Sequence, residues 1–132
     1  MKFMLMMHAP RGDGDWGILH WSPEALNAHI AFMMELNKNL QSEGALVGAE
    51  GLAMPAQARI VRAGKNGNPE VTDGPFAESK EFLAGYWIVD VESPDAAHRI
   101  AAKASSAPGP DGKPLNMAIE VREVMRCAPV EA

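Results

Sequence analysis

The sequence predicts an α+β domain in which two β-α-β units lay two helices on one face of an antiparallel sheet. Three observations carry this. Ser22-Pro23-Glu24 and Ser93-Pro94-Asp95 each join an N-cap serine, a first-turn proline and a dipole-compensating acid, so a helix begins at each. Apolar or β-branched runs of strand length precede and follow both helices. Between the two units stands a polar Asn-Gly stretch of the kind that turns a hairpin.

Lys2 to Met7 is continuously apolar after the lysine, as expected of a strand covered on both faces or lying mid-sheet. Pro10 to Gly17 carries three glycines and two aspartates and reads as a polar loop. In the helix that follows, Leu26, His29, Ile30, Met33, Leu36 and Leu40 recur at spacings of three and four, which makes one apolar stripe. That helix ends before Gly44, the residue type that takes a left-handed conformation at a C-terminus. Ala45 to Leu52 is a strand whose glycines predict a bulge or close packing.

Ala58 to Ala63 and Glu70 to Thr72 flank Gly64-Lys65-Asn66-Gly67-Asn68-Pro69 and form an inserted β-hairpin. Beyond the turn at Asp73-Gly74-Pro75-Phe76, the aromatic and β-branched run Phe82 to Val91 predicts a central strand. The second helix carries Ala96, Ala97, Ile100, Ala101 and Ala104 as a small-residue stripe for close packing on the sheet. Ala107 to Pro114, with three prolines and two glycines, is a loop, and the alternation from Met117 to Val124 is the last strand. The order β-α-β, hairpin, β-α-β is a ferredoxin-like βαββαβ plan with an inserted hairpin. No third layer covers the other sheet face, so a homodimer packed sheet against sheet is expected.

At 132 residues, with 47% hydrophobic and 22% charged, the chain suits a single globular domain spanning 1–132. A formal net charge of −5 with scattered basic residues argues against direct nucleic-acid binding. The start MKFMLMMHAP is too short to span a bilayer and has no small-residue cleavage site, so no membrane association and a cytoplasmic location are expected. The single Cys127 allows no internal disulfide, which agrees with a reducing compartment and offers no thiolate cluster, so structural zinc is not expected.

Val71-Thr72-Asp73-Gly74-Pro75-Phe76-Ala77-Glu78-Ser79-Lys80-Glu81, followed by Leu83-Ala84-Gly85-Tyr86-Trp87, resembles the signature of the DGPF-motif branch of the YCII-related family. Lys2-Phe3-Met4-Leu5, Gly48-Ala49-Glu50-Gly51-Leu52 and Ile119-Glu120-Val121-Arg122 extend the similarity over nearly the whole chain. The loops Pro10 to His20 and Pro108 to Pro114 depart most. The resemblance implies a dimeric α/β barrel of ferredoxin-like subunits, often encoded beside alternative sigma factors in bacteria. Most members of the family lack an assigned reaction. Related proteins use a His and an Asp as an acid-base pair, and one branch eliminates chloride from a chlorinated hydroxyquinol. Their His lies on the first helix in a His-x-Ala-aromatic pattern, and His29-Ile30-Ala31-Phe32-Met33 is similar, so His29 inherits that role. Their Asp sits in an Asp-Pro segment after the second helix, which Asp111-Gly112-Lys113-Pro114 matches poorly.

Read as chemistry, His29 and Asp73 are the candidate acid-base pair, since an imidazole exchanges protons efficiently near neutral pH. The bland alternatives are a buried His29 bonded to a backbone carbonyl and an Asp73 that accepts turn hydrogen bonds. His8 and His20 are candidates for the same rim, whereas His98 should face solvent, and none has a second metal ligand at suitable spacing. Glu50 and Arg122 are charges within apolar strands, able to point into a dimer cavity or to cover an edge. Phe76 and Trp87 suit the apolar walls of a pocket for a small aromatic ligand, or plain core. Gly12-Asp13-Gly14-Asp15-Trp16-Gly17 formally fits a dinucleotide loop, but no helix begins at its third glycine and its two aspartates would meet the pyrophosphate. Two functions follow: a lyase, isomerase or dehydrohalogenase without metal or organic cofactor, or a non-catalytic module that binds a small ligand or docks a transcription factor.

Overall fold

Ser22 and Ser93 cap the two helices as their sequences predict. In the computed structural model, which describes residues 1–10, 18–74 and 80–126, each hydroxyl accepts from the backbone N–H three residues on at 3.1 Å. Helix α1 spans Pro23–Ser42 and α2 spans Pro94–Ser105. Gly44 closes α1 at φ 75°, which lets the Ala45 N–H reach back to the Leu40 carbonyl at 2.9 Å and starts the next strand in line.

Six strands accompany them: β1 Lys2–Pro10, β2 Leu46–Gly51, β3 Arg59–Ala63, β4 Pro69–Asp73, β5 Glu81–Asp90 and β6 Ile119–Glu123. Four form an antiparallel sheet in the order β2-β5-β1-β6, the ferredoxin-like arrangement, with β1 and β5 inside. The hairpin β3-β4 is a separate two-stranded sheet, turned by Asn66 at φ 64° and Gly67 at φ 77°. The bulge expected from the glycines of β2 is present as a register shift between Leu46 and Gly48. The last strand is shorter than its alternation predicts, because the Met117 carbonyl accepts from the Ser105 hydroxyl at 2.6 Å and is tied to the end of α2 instead.

Alternation sorts the sheet into two faces. Phe3, Leu5 and Met7 of β1 and Trp87 and Val89 of β5 are buried against Leu36 and Leu40 of α1 and Ala97, Ala101 and Ala104 of α2. The alanines let α2 lie close to the sheet. On the other face Met4, Met6 and His8 of β1 and Tyr86 and Ile88 of β5 are half-buried. The continuous apolar run of β1 therefore has a helix layer on one side and, among the described residues, no covering layer on the other. Among the described residues, no helix is long and apolar enough to cross a membrane.

Candidate functional site

Where β2, β5 and β1 meet beneath α1, one sheet row is Gly51 opposite Gly85 opposite Met7. The neighbouring row puts Ala49 opposite Trp87. Two glycines and an alanine leave the helix-facing side short of side chains, so α1 cannot be packed down solidly here. The result is a cavity of about 340 Å³, into whose wall α1 contributes His29, Met33 and Asn37. These three are successive members of one i, i+4 series and so share one helix face. Gly85 leaves little room for a side chain, since a Cβ there would stand 3.0 Å from the Glu50 carbonyl oxygen and 3.4 Å from the Gly51 Cα.

Among the described residues His29 is the buried polar one, 5% exposed. Its Nδ1 lies 3.0 Å from the carbonyl oxygen of Pro108, which can only accept, so Nδ1 carries a proton. In the neutral ring the basic nitrogen is then Nε2. Trp21 meets the imidazole edge to face, with centroids 5.3 Å apart and planes at 89°. The loop after α2 thus sets the orientation of the imidazole, and that loop is itself pinned by a bridge between Pro108 and Pro114. Asn37, which the sequence reading passed over, accepts from the Trp87 indole N–H at 2.8 Å through Oδ1. Its place four residues after Met33 was the available signal.

The other candidates are scattered. Asp73 is the last residue of β4, opposite Arg59, with Oδ1 3.8 Å from the Arg59 Nε and a side chain 95% exposed. It is not among the described residues that line the cavity. Glu50 borders the cavity on the edge strand β2, but register places it opposite Tyr86, on the face turned from the helices. Arg122 lies on β6 at the far edge, and with β5 and β1 between β2 and β6 the two strands are about 14 Å apart by strand spacing, so one chain does not pair the two charges. Trp87 is both core and cavity wall, and Phe76 lies outside the described residues. Cys127 and the Gly12 to Gly17 loop lie outside them too. His8 contacts Glu120 at 3.0 Å on the open sheet face, His20 is exposed, and His98 approaches Asp95 at 4.0 Å, so none of the three joins His29. Among the described residues, no group of three or more His, Cys, Asp or Glu is placed to hold a metal ion.

The family model of the YCII-related domain matches residues 1–126. No curated protein matches the chain.

Proposed function

The chain belongs to the YCII-related family, and from that premise we propose that it is a cytoplasmic, cofactor-independent lyase or isomerase in which His29 moves a proton of a small molecule. The observation that carries this reading is the buried imidazole, held in one tautomer by Pro108 at the wall of the cavity. A base fixed in this way needs no reorganisation before it acts. The imidazole takes a proton from a carbon activated by a carbonyl, directly or through a conjugated ring. The electrons of the broken C–H bond pass into an enolate. Return of the proton at another carbon completes an isomerisation, whereas expulsion of an anionic leaving group completes an elimination. Asp73, the other half of the expected pair, is exposed on the hairpin and is not among the described lining residues, so the chemistry is assigned to His29.

The test is exchange of solvent deuterium into a panel of small cyclic ketones, followed by NMR. Wild type should accelerate exchange for at least one of them, and His29→Gln should lose about a hundredfold or more of that rate, as general-base catalysis requires. No exchange with any ketone, or full activity in His29→Gln, overturns the assignment. A second reading, a non-catalytic module that binds a small ligand, is favoured by the cavity wall itself, and a regulatory link to a sigma factor is what the resemblance adds to it. Apart from His29 and Glu50 its described lining is apolar or neutral, and a binding site needs only shape and a few polar anchors.

A further inference from the structure

We propose that Asn37 is the residue that reads the ligand of this cavity, and that the occupant is a neutral, largely apolar ring compound with a hydrogen-bond-accepting oxygen. The inference rests on the reading of the cavity as a small-molecule site. An indole N–H only donates, so the amide oxygen of Asn37 must be the atom that faces Trp87. With its oxygen turned to the indole, the carboxamide has its NH2 group left to donate to what lies in the cavity. Its two N–H hydrogens have no partner among the described residues, and Asn37 lines the cavity. A donor in that setting selects an acceptor, such as a carbonyl oxygen, and rejects an analogue without one.

The remaining walls define the rest of the ligand. No lysine or arginine occurs among the described lining residues, so these offer a carboxylate or phosphate no permanent positive charge. Met7, Met33 and Met54 surround the space with polarisable thioethers that favour contact with ring systems, and Trp87 adds an indole. The glycine row gives a flat floor of backbone, which suits a planar group. His29 and Asn37 are eight residues apart, about 12 Å along the helix axis, and both side chains reach inward. A ligand that meets both residues therefore extends along the cavity, with its oxygen at Asn37 and another part of the molecule toward His29. A volume of about 340 Å³ agrees, at the small end of ligand pockets.

Two neutral dyes distinguish the elements of this proposal: prodan, a naphthyl ketone, and phenylnaphthylamine, a related ring system without the carbonyl. Wild type should bind both, with blue-shifted fluorescence, and prodan should be the tighter ligand. Gly51→Leu fills the cavity from a position where a Cβ meets nothing within 4 Å, and should abolish binding of both dyes. Asn37→Asp keeps an oxygen for Trp87 but loses the donor. It should weaken prodan about tenfold relative to phenylnaphthylamine, the effect of one hydrogen bond. In wild type, independently of any variant, the Asn37 side-chain amide signals in NMR should shift with prodan and not with phenylnaphthylamine. Failure of both dyes to bind, or binding that survives Gly51→Leu, refutes the cavity as a ligand site. Binding of both dyes with equal loss in Asn37→Asp, or amide signals indifferent to prodan, overturns the role of Asn37 alone.

Discussion

Pro108 stands 79 residues from His29 in sequence, yet its carbonyl decides which nitrogen of that imidazole is basic. The apolar stripe of α1 brought His29 into view from sequence, because a lone histidine among leucines and methionines is conspicuous. Its tautomer was not legible, since it depends on a loop whose path follows from tertiary packing. Asp73 illustrates the converse. The sequence singles it out through the motif around it, whereas the structure places its carboxylate in solvent beside Arg59. An exposed pair of this kind contributes little, so Asp73→Asn should change stability by less than about 0.5 kcal/mol in thermal melting. The ring NMR signals of His29 should be the same in both proteins. A displaced His29 signal in Asp73→Asn would restore the acid-base pair that the resemblance implies.

The elements themselves were readable because each carries its own punctuation: a serine cap, a first-turn proline, a glycine at a positive φ. What those local signals do not encode is register. Only register brings Gly51 and Gly85 side by side under α1 and so makes the absence of side chains a cavity. The two glycines should therefore respond differently to the same methyl group. Gly85→Ala drives a Cβ toward the Glu50 carbonyl at 3.0 Å, where neither partner is a flexible side chain, and should cost about 1–3 kcal/mol as β2 is pushed aside. Gly51→Ala points into open space and should be neutral or slightly stabilising, because it restricts the unfolded chain. Denaturant midpoints with matched slopes would measure both, and an equal loss at the two positions would refute the register argument.

At the scale of the molecule the two-layer plan leaves one sheet face without a cover among the described residues, and the register shows what that face carries. Glu50, Tyr86, Met6 and Glu120 form one cross-strand row, and Ile88, Met4 and Arg122 belong to the next. The centre of the face is thus Met4, Met6, Tyr86 and Ile88, with charges at the two edge strands. A contiguous apolar centre with a charged rim is the usual composition of a protein interface, and a second copy of the chain is the partner that a two-fold axis supplies. The resemblance led to the same expectation, since sheet-on-sheet pairing is what turns ferredoxin-like subunits into an α/β barrel. Light scattering at micromolar concentration should give twice the chain mass. Met6→Glu should abolish the dimer, because it sets a third carboxylate in the row of Glu50 and Glu120 and buries a charge against the partner's sheet. Its far-ultraviolet circular dichroism should stay that of the wild type, since Met6 lies on the face away from the helices and the core behind β1 is untouched. A monomeric wild type would refute the interface, and so would a Met6→Glu variant that keeps the dimer mass.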